Sequence, residues 1–251
     1  MTRLKQYSGA LIALAFVLAF VAMVPAPLLY GTVRTKLPEL QLFGLEGSWT
    51  KGRVAGISHS NRLLMQDLNY RLTPSSLVLG RLGYRLSGGG EIATLDGHVS
   101  KSWGALRLSD FTIDGQLKRL ATLANLSFLP VDGRVVGAVE TLVVKQQFID
   151  SASARIELKG LAWTLTASPM LLGDFLADVS TKPDAITAVI SSPSGPLEAK
   201  GAAKLYPDRR YEVDVLIKLK PGASEMLSNY VRSLGTPDSQ GFTHFKQKGK
   251  L

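Results

Sequence analysis

The chain contains no cysteine. Disulfide frameworks, cysteine-based zinc sites and thiol nucleophiles are therefore excluded together, although that absence names no compartment. Histidine is almost as scarce. His59, His98 and His244 are scattered, and none has a second histidine or a carboxylate at metal-ligand spacing. Each reads as an ordinary surface or strand histidine, and no metal or cofactor is expected. Charge is missing from one long stretch, because Lys5 and Arg34 enclose no charged residue at all.

Within that stretch Gly9–Val24 is an unbroken run of apolar or small residues, which Pro25–Tyr30 extends. About 20 residues at about 1.5 Å rise each span a hydrocarbon core of about 30 Å. Residues 9–30 are thus expected to form a single transmembrane anchor behind a short cytoplasmic N-terminus, residues 1–8. A cleavable signal peptide is the competing reading, since Arg3 and Lys5 precede the run. The best candidate cleavage site, Val24-Pro25-Ala26, is followed by Pro27, and the apolar region is longer than a signal needs. An uncleaved anchor is the reading adopted. Arg3 and Lys5 then hold the N-terminus in the cytoplasm, which places the rest of the chain outside an inner membrane.

Beyond the run the chain is rich in apolar residues and in turns. Hydrophobic residues make up 45% of the 251, enough for a sizeable core, and the 24 glycines are spread along the chain. The net charge is +9, and of the basic residues only Arg3 and Lys5 precede the run, so the exported part stays basic. That balance suits anionic lipid or an acidic partner. Its densest spots, Asp208–Arg210 and Phe245–Lys250, are equally a solvated surface. Nucleic acid is set aside as a partner of an exported domain.

Period-two alternation dominates the exported part. "YEVDVLIKLK" puts Tyr211, Val213, Val215, Ile217 and Leu219 on one face and Glu212, Asp214, Lys218 and Lys220 on the other, with Leu216 the exception. "RIELKGLAWTL" alternates through Ile156, Leu158, Leu161, Trp163 and Leu165, with a parity change near Gly160 that predicts a bulge. Ala138–Phe148 and Ala105–Ile113 read as further strands. One apolar and one polar face per strand is the pattern of antiparallel sheet with one side in water. Helices are few and short: "LKRLATLANL" carries Leu117, Leu120, Leu123 and Ala124 at helical spacing. "GASEMLSNYVRSL" stripes Met226, Leu227, Tyr230, Val231 and Leu234.

The chain also repeats itself. "LNYRLTPSSLVLG", Leu68–Gly80, returns as "LAWTLTASPMLLG", Leu161–Gly173, and "GRVAG", Gly52–Gly56, returns as "GRVVG", Gly133–Gly137. Each copy of the longer phrase reads as a strand entering a tight helical turn. Thr73, Pro74 and Gly80 supply cap, first position and stop in the first copy; Ser168, Pro169 and Gly173 do so in the second. The fold expected is mainly β: two tandem, duplicated antiparallel units with short helices, residues 31–130 and 131–251, joined near Leu129-Pro130. Duplicated architecture favours a scaffold or a long binding surface over one asymmetric pocket.

No catalytic constellation emerges. Ser48-Trp49-Thr50-Lys51 fits S-x-x-K but lacks the S-D-N and K-T-G companions of penicillin-recognising enzymes, so Ser48 and Lys51 read as turn or strand residues. "SGGGE", Ser87–Glu91, lacks the lysine and helix of a phosphate loop and reads as a flexible turn. Asp67, Asp96, Asp110 and Asp114 sit in or beside strands, where edge charges that block edge-to-edge association account for them as well as catalysis does. Trp49, Trp103 and Trp163 read as core packing rather than as a ligand groove.

Laid out this way, the chain resembles protein N of the bacterial type II secretion system over nearly its whole length. The resemblance rests on the single apolar run together with "LEGSWTKGRV", "YRLTPSSLVLGRLGYRLSG", "GLAWTLTASPMLLGD", "SGPLEAKGAAKLYPDRRYEVDVLIKLK" and "LGTPDSQGFTHFKQKG". One departure is visible: the family's Gly-Thr-Leu-Trp-Ser-Gly turn has Trp fourth, whereas Gly47–Gly52 has Trp49 third. The resemblance implies an accessory, non-enzymatic inner-membrane component of the machine that exports folded proteins across the outer membrane. Its partners would be other inner-membrane or periplasmic components of that system, with membrane lipid met through the anchor. It brings no catalytic, cofactor-binding or metal residues. Two other classes fit the residue pattern. One is a periplasmic lipid-binding or lipid-transfer protein with a curved amphipathic sheet. The other is an envelope hydrolase, which would need the named carboxylates or histidines to converge.

Overall fold

The computed structural model describes residues 25–27, 40–59, 62–90, 93–123, 130–146, 148–165 and 168–250. The chain gathers into two compact units that divide between Gly90 and Glu91. Most of the expected anchor lies outside the described residues. Of it, Pro25 forms one antiparallel bridge with Ser48 and Ala26 is buried. Among the described residues no helix is long and apolar enough to cross a membrane. The expected joint at Leu129-Pro130 falls within the second unit's stretch of chain.

The first unit is an antiparallel meander of β1 (Leu40–Gly47), β2 (Lys51–His59), β3 (Arg62–Leu72) and β4 (Leu82–Gly89). Gly47 and Gly52 pair across the first hairpin, and two tyrosines hold its turn. Tyr70 donates its hydroxyl to the Ser48 carbonyl at 2.8 Å and Tyr84 donates to that of Trp49 at 3.1 Å. Their rings meet edge to face at 6.2 Å, and partial burial raises both phenol pKa values. Between β3 and β4 lies α1 (Pro74–Val78), with Pro74 in its first turn as expected. Thr73 takes the cap position, but its hydroxyl bonds no backbone N–H. Gly80, at φ +66°, reverses the chain so that its N–H and that of Arg81 reach the Leu77 and Ser76 carbonyls, both at 2.9 Å. The turn expected over Ser87–Glu91 is instead strand as far as Gly89, because Ser87 and Gly88 pair with Asn69 and Leu68.

Nine strands succeed one another in chain order in the second unit: β5 (Ala93–Ser102), β6 (Ala105–Gln116), β7 (Val131–Lys145), β8 (Phe148–Trp163) and β9 (Met170–Thr181), then β10 (Ile186–Ser194), β11 (Leu197–Leu205), β12 (Arg210–Leu219) and β13 (Thr243–Lys250). Every neighbouring pair is antiparallel. Two short helices interrupt them, α2 (Leu117–Leu123) and α3 (Glu225–Leu234).

Several local expectations meet the structure directly. The bulge near Gly160 is there: the register shifts between Leu158 and Leu161, Gly160 takes φ +59°, and its N–H bonds Asp174 Oδ1 at 2.7 Å. Two others are corrected. Ala138–Phe148 is not one strand, since β7 stops at Lys145, Gln146 turns with φ +47°, and Phe148 opens β8. The second copy of the long phrase holds no helix among its described residues. Met170 and Leu171, the last two residues that match α1, pair with β8 as Gly173 does and so enter β9. A cross-strand ladder wins there over local helical signals.

Four carboxylates are held ionised by partners that folding brings to them. Arg134 grips Asp114 with two hydrogen bonds, at 2.6 and 2.7 Å, and lowers its pKa. The Gly160 N–H, then Ser194, does the same for Asp174; Lys248, then Tyr206, for Glu212; and the Phe242 N–H for Asp238. A depressed folded pKa contributes stability that is present above the unfolded value and lost as pH falls through the folded one. The urea midpoint is therefore expected to fall between about pH 5 and about pH 3, and Asp174→Asn should flatten that slope. A midpoint independent of pH over that window would refute the assignment.

Candidate functional site

The second sheet sorts its side chains by face with little mixing. Cross-strand partners form one row that runs Leu95, Ile113, Gly137, Ile156, Ala177, Ile190, Gly201, Val215 and Phe245, from β5 to β13. The next row on that face is Phe111, Val139, Ala154, Val179, Ala188, Ala203 and Val213, ending at Gln247. Between the two rows, on the other face, lie Thr112, Ala138, Arg155, Asp178, Val189, Ala202, Asp214 and Lys246. One face is apolar across nine strands, and the other carries charge.

The charged face is knit by surface ion pairs. Arg155 lies 3.8 Å from Asp178, and Asp214 takes both His244, at 2.8 Å, and Lys246, at 3.3 Å. These side chains are about half exposed, where water screens such pairs and they add little to stability.

Helix α3 covers one end of the apolar face. Ser224 caps it by accepting from the Leu227 N–H at 3.2 Å, Glu225 sits in the first turn and Arg232 in the last, each favourable to the helix dipole. Leu227 and Val231 are buried against Met170 and Leu197, with Trp163, Phe175 and Ile217 around them. The buried stripe is narrower than expected, since Met226 and Tyr230 remain largely exposed. Beside α3 an apolar groove of about 250 Å³ opens between Tyr230 and Leu234 on the helix and Ile190, Val215 and Phe245 on the sheet. Away from the two helices the apolar rows stay half-buried: Ile113, Val139, Ile156, Val179, Ala188 and Val213 keep partial access to solvent.

The residues singled out for chemistry do not converge. Ser48 Oγ is 2.8 Å from Thr50 Oγ1 within its turn, and the Lys51 N–H reaches Ser48 Oγ at 3.4 Å, so this S-x-x-K is a hairpin turn. Asp67 pairs with Arg53 and Asp114 with Arg134. Both are ladder contacts between neighbouring strands rather than the edge guards expected. Asp110 is exposed in a left-handed conformation. His59 ends β2, His98 lies within β5, and His244 meets a carboxylate, Asp214, which the sequence did not single out. No group of three or more His, Cys, Asp or Glu able to hold a metal occurs among the described residues. Of the tryptophans, Trp163 packs in the α3 core with Tyr230 at 6.4 Å between centroids. Trp103, expected in a core, stands fully exposed at the β5–β6 tip.

The second unit is a mainly β, antiparallel structure that presents one apolar and one charged face. The chain belongs to the type II secretion system protein N family, whose model matches residues 38–246. No curated protein and no solved structure matches it. Membership makes it a component of a type II secretion system and implies contact with other proteins of that system.

Proposed function

We propose that the protein is an accessory, non-enzymatic inner-membrane component of the type II secretion system, which supports export of folded proteins across the outer membrane through protein contacts of its periplasmic part. The family match over residues 38–246 carries this reading. Residues 9–30 anchor the chain once, with residues 1–8 cytoplasmic and the remainder periplasmic. The matched region starts just beyond that apolar run, so the part shared with the family is the exported part. The repeated phrases support an old duplication, with related β-rich stretches over residues 31–130 and 131–251 that offer contact surfaces. Proximity supplied by an anchor raises the local concentration of such surfaces beside their partners.

Crosslinking in intact envelopes, followed by recovery of this chain, should bring down other secretion components; recovery of none would remove the reading. A reporter active only outside the cytoplasm should work when fused after Leu251, and a soluble form starting at residues 25–30 would reject the anchor. Single alanine changes at Ser48, His59, His98, Asp110 or His244 are expected to leave secretion near its normal level, because a contact surface loses little with one titratable side chain. Loss of secretion with a folded, abundant variant of any of these would reveal a chemical site instead.

A further inference from the structure

The apolar face is covered near one end of its strands by α3 and leads, at the other, to a pocket of about 830 Å³ built by hairpin tips. Four tips contribute: Ser102–Ala105, the tip with Lys145, Gln146 and Phe148, Thr181–Ile186 and the Leu205–Arg209 stretch. Ile149, Ile186 and Leu205 line it and also continue the apolar face, since Ile186 pairs with Leu205 and Leu205 with Tyr211. An uninterrupted apolar path thus runs from the pocket along β10 to Ile190 beside α3.

The charges at the pocket are arranged unevenly. Lys145 is matched by Asp150 at 3.0 Å. Lys182 and Arg209 are exposed and have no carboxylate in ion-pair reach among the described residues, while Asp184 lines the same pocket without pairing to either. Arg209 lies over the Phe148 ring at 5.5 Å, which leaves its N–H edge free. It also takes φ +69°, where glycine would sit without strain and an L side chain is disfavoured. A cation is held there against backbone preference. Trp103, fully exposed, lines the same pocket from the β5–β6 tip, an indole suited to the headgroup level of a bilayer.

We propose that the second unit binds an anionic glycerophospholipid, its phosphate on Lys182 and Arg209 and its acyl chains laid along the apolar face toward α3. Trp103 sets the tip end against the bilayer surface from which the lipid enters. Strand rise gives the stretch from Ile186 to Ile190 a length of about 13 Å, which takes part of an acyl chain and leaves the rest to the groove beside α3. This site does not depend on the secretion reading, and either can fail alone.

The test uses the full-length chain in detergent with added phosphatidylglycerol or phosphatidylcholine, and a benzophenone residue in place of Ile190 or of Val189. These neighbours lie on opposite faces of β10, so Val189 controls for nonspecific coating by lipid. Irradiation should give a phosphatidylglycerol adduct at Ile190 and little at Val189. K182E combined with R209E should cut that adduct about tenfold or more, since each cation near anionic lipid matters by several-fold. Arg209→Gly, which relieves the strained turn, should raise the melting temperature yet lower the adduct. Equal labelling at both positions, equal yields with the two lipids, or an Arg209→Gly variant with undiminished labelling would each overturn the proposal. Should the Ile190 replacement misfold, a benzophenone at half-buried Ala203 on the same face carries the same comparison.

Discussion

Val215→Asp is expected to unfold the second unit. Val215 is 8% exposed, in the middle of the apolar row between Gly201 and Phe245. No cation shares that position, because the charged side chains of β12 and β13 point to the opposite face. An unpaired buried charge costs several kcal/mol, against a total stability of about 5–15 kcal/mol for an ordinary domain. The variant should be degraded in cells, and any loss of secretion should follow protein level. Val189→Lys is the matched control, since Val189 is 54% exposed on the charged face and pairs with Asp178. Its change in stability should stay within about 0.5 kcal/mol. If both variants accumulate and melt alike, the assignment of faces is wrong.

Leu227→Ala should give the second largest loss. At 1% exposure Leu227 is the most deeply buried apolar side chain of α3, and it holds the helix to Met170 and Leu197. Truncating such a leucine costs about 2–5 kcal/mol through lost burial and the cavity left behind. A ten-residue helix cannot persist on its own propensity, so α3 should loosen from the sheet as a whole. Trp163, packed against Tyr230, should then show red-shifted fluorescence well before global unfolding. A cost below about 1 kcal/mol with unchanged fluorescence would show that α3 is held by something other than this contact.

Both predictions rest on features that differ in how far the sequence reveals them. The alternation of β12 was legible from Tyr211 to Leu219, because a pleated strand with one wet face imposes period two on its own residues. So was the helix at Glu225–Leu234, from apolar residues at helical spacing, and so was the bulge at Gly160. Partners were not legible. Asp214 with His244, and Asp114 with Arg134, are brought together by the register of neighbouring strands joined through helices, which no local pattern reveals.

The repeated phrase shows the same limit. Its first copy makes the expected helical turn, while in the second the residues from Met170 onward find ladder partners on β8, and pairing overrides the local preference. Trp103 read as core by residue type, yet a hairpin tip gives it no neighbours to be buried among. Composition and periodicity by themselves determined a mainly β chain of strands with one apolar face each, and the ordered phrases determined its family. Only the tertiary structure decided that these faces align across nine strands into one surface that leads to a pocket of hairpin tips. Alignment is a property of register between strands, and register is set by backbone hydrogen bonds between residues far apart in the chain.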